Sequence, residues 1–444
     1  FTLAGNGSSI GNVHVSGGSL ISNGANILTN LDAENGSIVV NTGGSVNGTV
    51  TTAIEGEIFL NGVVSSIVSL VKSIDNAGAL TLSGKTALIV SGSGDDPASL
   101  VSTGTLTVKD SSLTVENRGG NDASLAETFL SNATIALEGN LKVQGTVASS
   151  AGNTTSLLQA ADLTISGAGA LNLKEGVNNV SLSGQFIQEA GKSHVYGSIV
   201  TSSGMRIDQG ATLNLMAIGP VESDLGDVFV NGVLSIGTNG SSMRKVSAGI
   251  MEIYNSGESD EGGKLELANI NLEMNGGEGT LSLVNDAADM RELAYFSSSS
   301  MLTGSLSVFG KNLLHIADSF SVTGDMMVSY GGLDLTGGGT LSVKGNTLLG
   351  DEAFILVDEH TTFATGSLDM DADTELTVHG RLGVSGDMTV ASSQVVLETS
   401  EAGHDFGSVG NTLVLEGSGL SATGSSSADK ALLAGKLTIS GGST

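Results

Sequence analysis

The chain contains no cysteine and no tryptophan, only two prolines, and no apolar run of 18 or more residues. Without cysteine there is no disulfide scaffold and no thiolate metal site. Without a long apolar run no helix is predicted to span a membrane. Aromatic residues make up 3% of the 444 positions, so the core cannot rest on large rings and must be slim and aliphatic. Basic residues are scarce as well, 17 against 46 acidic, for a formal net charge of -29. Nucleic-acid binding needs clustered Lys and Arg to neutralise phosphate, and the chain has no such cluster. Contact with an anionic membrane is disfavoured for the same reason. Cationic partners or divalent ions suit the charge better, and self-repulsion that keeps the chain soluble explains it more simply.

Glycine, by contrast, occurs 65 times, and hydrophobic residues reach 39%, too many for a disordered chain. One five-residue pattern recurs throughout: apolar, polar, apolar, polar, glycine. Leu333 to Gly345 holds two copies, Leu333-Asp334-Leu335-Thr336-Gly337 and Leu341-Ser342-Val343-Lys344-Gly345. Strict alternation places both apolar side chains on one face of a strand. The glycine is expected to end the strand by accepting the positive φ of a tight turn. Paired copies begin at Leu80, Leu106, Ile135 and Leu163, about 26 to 29 residues apart, the spacing of a solenoid or array. The pattern loosens at about 185–300 and tightens again through Leu376-Thr-Val-His-Gly380 and Leu437-Thr-Ile-Ser-Gly441.

Four segments have a helix-like composition: Asn121 to Leu130, Thr155 to Asp162, Asp286 to Phe296 and Ser427 to Gly435. Asp122, Asp286 and Ser427 would serve as N-caps and Gly435 as a stop. Each is too short to stand alone, so short helical or loop excursions between strands are expected.

A propeller would repeat at about 40–50 residues, and tandem sandwiches would bury larger side chains. The expected fold is therefore all-β, a single continuous parallel β-helix over residues 1–444. At roughly 20–28 residues per coil it would have about 16–22 rungs. At about 4.8 Å per rung the rod would be on the order of 80–105 Å long. The repeated Leu-x-Val-x-Gly pattern, the lack of cysteine and the Gly/Ser/Thr/Asn turns resemble autotransporter passenger domains and filamentous-haemagglutinin-like exported proteins of bacteria. That resemblance implies an extracellular or cell-surface β-helix, exported and cut from a longer chain. The sequence opens directly on Phe1-Thr-Leu with no signal peptide, as a processed piece would.

Chemical motifs are few. Gly7-Ser8-Ser9-Ile10-Gly11 matches G-x-S-x-G, which has catalytic meaning only between a strand and a helix. Asp369, Asp371, Asp373 and Glu375 start like a calcium loop, but Thr374 and Gly380 stand where its glycine and glutamate belong. Those four carboxylates are the candidate calcium ligands, or else a solvated acidic turn. Asp95-Asp96 and Glu258-Ser-Asp-Glu261 supply further carboxylates of the kind a polysaccharide-cleaving enzyme uses. Five arginines and four scattered tyrosines, Tyr196, Tyr254, Tyr295 and Tyr330, are a poor complement for sugar binding, and most of the tyrosines are expected half-buried on rungs. The six histidines at 14, 194, 315, 360, 379 and 404 show no paired metal spacing.

The expectation is a non-enzymatic surface stalk, adhesin or filament subunit that needs no cofactor and displays its loops multivalently. Its partners would be copies of itself, end to end or side by side, or molecules on a host or neighbouring cell. Strand edges at Phe1-Thr-Leu and Leu437-Thr-Ile would join copies. A β-helix enzyme that degrades or binds polysaccharide is the other class.

Overall fold

Alternating apolar residues close the chain into a coil of parallel strands. A computed structural model describes all residues except 5–8, 35–36, 43–44, 54, 62–66, 92–97, 117–121, 151–154, 218–221, 239–242, 257–261, 400–403, 425–431 and 444. The fold is a β-solenoid of about 17 turns, 69% strand and 1% helix, so helices have almost no part in it. Its turn number falls within the expected range. Two compact units divide it, Phe1–Val221 and Glu222–Thr444.

In the first unit, Ala79–Ser83 lies in parallel between Glu57–Asn61 and Thr105–Lys109, with Leu80 in register with Ile58 and Leu106. All three are fully buried. Thr86–Ser91 pairs in the same way with Ser112–Glu116. Each strand thus finds its partner one turn away, two or three strands along.

The second unit shows how one turn is made. The strand Gly332–Leu335 buries Leu333 and Leu335, the chain turns at Gly337 and Gly338, both at φ +77°, and Thr340–Gly350 buries Leu341 and Val343. The two sequence repeats are therefore two sides of one corner. Leu333 stacks in register between Leu314 and Ile355, and Leu341 between Phe320 and Phe363. The core is mainly aliphatic, with rings at intervals: Phe186 in the first unit, and Phe296, Phe320, Phe363 and Phe406 in the second. Phe296 and Phe320 touch on successive turns, their centroids 4.4 Å apart.

The repeated glycine has two roles, of which the sequence suggested one. Gly337 does take a positive φ, whereas Gly324, Gly345, Gly366 and Gly386 do not. These four stack at one corner of successive turns. A Cβ on each would lie 2.5 to 2.8 Å from the carbonyl oxygen of the glycine one turn before. They are glycine because backbones meet there, not because the turn demands it.

Aspartates complete these corners. Asp325 Oδ1 accepts the Asn346 N–H at 2.7 Å, and Asp387 Oδ1 accepts that of Thr412 at 3.0 Å. In the first unit Asp162 Oδ1 does the same for Gln185 at 2.7 Å. A backbone donor freed where a strand bends is thus satisfied by the preceding turn's carboxylate. We expect Asp325→Ala to lower the unfolding free energy by about 1 kcal/mol, with Asp325→Asn retaining most of it, as read from urea midpoints.

The helix-like segments are a correction. Ala123–Leu125, Thr128–Ser131, Thr155–Ala160, Arg291–Ser297 and Leu433–Ser440 are strands. Asp286 caps no helix: its Oδ2 accepts the Tyr254 O–H at 2.8 Å. Ser427 lies outside the described residues. Among those described, the helical element is one 3-10 turn, Asn275–Gly277. Neighbouring strands pair with all six residues of Thr155–Ala160 on one side and with four on the other, which outweighs a modest helix propensity.

Across 185–300 the parallel pairing persists, while the separation of in-register partners varies from 19 residues, at Gln185 and Gly204, to 31, at Ser235 and Glu266. No helix among the described residues is long and apolar enough to cross a membrane.

Candidate functional site

Because the inward positions are apolar, every second residue of a strand points outward, and parallel register stacks those residues into columns. The best-formed column in the second unit runs Ser235, Glu266, Tyr295, His315, Asp334 over successive turns. Ser235 Oγ donates to Glu266 Oε2 at 2.6 Å. The Tyr295 and His315 rings stack with centroids 5.2 Å apart and planes 10° from parallel. His315 Nδ1 lies 3.2 Å from Asp334 Oδ2, and His315 Nε2 lies 3.1 Å from Thr336 Oγ1. A carboxylate can only accept, so the neutral ring carries its proton on Nδ1 and accepts the Thr336 hydroxyl at Nε2. His315 and Asp334 are about a quarter exposed, at 24% and 26%.

Sequence spacing could not bring these three together, since His315 and Asp334 are 19 residues apart. The signal was present all the same. Asp334 and Thr336 fill the two polar slots of the opening repeat, and His315 fills the polar slot between buried Leu314 and Ile316 one turn earlier.

The candidate calcium ligands are dispersed. Asp369 projects from the strand Thr362–Met370 between buried Leu368 and Met370. Asp371 and Asp373 sit in the following turn, Asp373 at φ +61°, and Glu375 opens the next strand, where it accepts the Thr377 hydroxyl at 2.8 Å. The turn is held from within instead. Thr374 Oγ1 donates to the Asp371 carbonyl at 2.9 Å, and Ser393 Oγ, one turn on, accepts the Thr374 N–H at 3.2 Å. Ser418 and Ser443 repeat that contact on later turns. Among the described residues no three His, Asp or Glu side chains gather to hold a metal ion. We expect millimolar calcium to shift the melting temperature no more than magnesium does; a calcium-specific rise would restore the site.

Ser9 lies in a two-residue strand, Ser9–Ile10, paired with Asn26–Ile27, so no helix follows the serine as a nucleophile elbow requires. Gly7 and Ser8, Asp95-Asp96 and Glu258 to Glu261 lie outside the described residues. The other histidines bond locally: His14 to Glu34 at 3.0 Å, His194 to Asn214 at 3.1 Å, and His404 to the Gly380 carbonyl at 2.7 Å. His379 Nδ1 lies 3.2 Å from the Glu398 carbonyl, and His360 occupies a corner at φ +67°. Tyr196, Tyr254 and Tyr295 are half-buried, and Tyr330 is exposed.

Two further features mark the second unit. An open groove of about 450 Å³ follows a column of small outward residues, Ser342, Ala364, Gly383 and Ser408. Lys245 Nζ donates to Glu273 at 2.8 Å, and that bond holds the ammonium above its ordinary value of 10.5, against desolvation. A raised lysine pKa supports folding below the unfolded value, for as long as its partner is a carboxylate, and ceases to do so as pH rises through the folded value. The pairing is thus constant through the neutral range. Compared with family models, curated proteins and solved structures, the chain matches none.

Proposed function

We propose that the protein is an extracellular structural and adhesive β-solenoid, a surface stalk, adhesin or filament subunit. What supports this reading is the register: each outward slot becomes a column, so the surface repeats its spacing every turn, at about 4.8 Å, while the side chains it carries vary. A repeated surface binds multivalently, and many weak contacts add to a strong one. Its likeness to autotransporter passenger domains and filamentous-haemagglutinin-like proteins points to export and to partners on a cell surface.

Copies of the chain are also proposed partners. Leu437 and Ile439 lie in register with buried Leu413 and Leu415, yet are 54% and 56% exposed. Any parallel turn laid on Leu433–Ser440 would bury both, and in self-assembly a second copy would supply it. Electron microscopy of the purified chain tests this. We expect end-to-end chains that Leu437→Lys with Ile439→Lys abolishes. Single particles at every concentration would exclude self-assembly, and absence of binding to any cell surface or matrix would exclude the adhesive role.

A further inference from the structure

We propose that Thr336, His315 and Asp334 form an acyl-transfer site that takes a short acyl group from an ester carried on an extended polymer. The proposal goes beyond the display role and does not depend on it. Its basis is the order of the atoms. A hydroxyl, Thr336 Oγ1, lies 3.1 Å from His315 Nε2, and a carboxylate, Asp334 Oδ2, lies 3.2 Å from His315 Nδ1. A nucleophile on one ring nitrogen and an orienting carboxylate on the other is the arrangement that activates a hydroxyl, whatever the fold around it.

Three structural features make the arrangement more than a chance polar cluster. Asp334 and His315 are cross-strand partners in register, with Leu333 and Leu335 buried on either side of Asp334, so the pair stands on a rigid sheet. Tyr295 stacks on the imidazole from the preceding turn and fixes its plane. On the hydroxyl side the chain continues as Gly337 and Gly338, both exposed, so no side chain from those positions blocks approach to Thr336.

The ligand class follows from the same surroundings. The three side chains sit on a sheet face with an exposed glycine lip, which suits a small acyl group on a long chain lying along the surface, such as an O-acetyl ester of a sugar. Thr336 Oγ attacks the ester carbonyl while its proton passes to His315 Nε2, and Asp334 stabilises the imidazolium. The C–O bond to the polymer breaks, His315 returns the proton to the leaving oxygen, and Thr336 is left acylated. Water, giving a proton to His315, then cleaves the threonyl ester to release the carboxylic acid and restore the hydroxyl.

The full chain would be treated with a fluorophosphonate probe and, separately, with p-nitrophenyl acetate, and modified peptides would be located by mass spectrometry. We expect phosphonylation at Thr336, retained in Thr336→Ser and absent in Thr336→Val. His315→Gln and Asp334→Asn should each reduce labelling and acetate release at least about tenfold, with unchanged circular dichroism. An unlabelled Thr336 in the folded wild-type chain would overturn the proposal. So would labelling that is as fast in His315→Gln as in the wild type, because the hydroxyl would then react without its base.

Discussion

Phe363→Ala should destabilise the second unit by about 3–5 kcal/mol. Phe363 is fully buried and stacks in register between Leu341 and Leu382, so truncation removes most of a ring's burial and leaves a cavity between two turns. Stacked turns contribute stability mainly through contacts with their immediate neighbours, so the loss should be local. Urea unfolding followed by tyrosine fluorescence and circular dichroism gives the size. Amide exchange gives the place: protection should fall at Leu341 and Leu382 and persist at Leu80 in the first unit. A loss below about 1 kcal/mol would mean that the turns can close over the space.

The next largest effect is expected at a corner. In Gly366→Ala the new Cβ would meet the Gly345 carbonyl oxygen at 2.5 Å and that of Lys344 at 2.8 Å, both main-chain atoms that cannot step aside. We expect a loss of about 1–3 kcal/mol. Gly383 is the control. A Cβ there would find its nearest neighbour, the Ala364 Cβ, at 3.9 Å, an ordinary contact. Gly383→Ala should be neutral or stabilising by up to about 1 kcal/mol, through a less flexible unfolded chain. Equal effects in the two variants, read from urea midpoints, would refute the argument that stacked backbones, rather than turn geometry, require glycine at that corner.

These two glycines show where reading the sequence succeeds and where it stops. Both follow or interrupt an alternating segment, and nothing nearby in the chain distinguishes Gly366, wedged beneath Gly345, from Gly383 on an open face. The distinction depends on a residue one turn away. The same holds for the candidate sites. Asp369 to Glu375 look like a cluster because they are close in sequence, yet they are shared among a strand, a turn and a second strand, and among the described residues no three of them gather to hold an ion. His315, Asp334 and Thr336 look unrelated in sequence and are hydrogen-bonded in space.

Alternation and composition by themselves determined the fold class. A period of two can be satisfied only by strands with one buried face, and few aromatics permit only a slim core. They also determined which side chains face inward, as at Leu333, Leu335, Leu341 and Val343. Only the tertiary structure decided which residues become neighbours between turns. Among the described residues the separation of in-register partners ranges from 17, at Ser9 and Asn26, to 31, at Ser235 and Glu266, and a local pattern carries no information on that length. Parallel pairing is long-range, so register, and with it each outward column and each crowded corner, is settled by closing the turn.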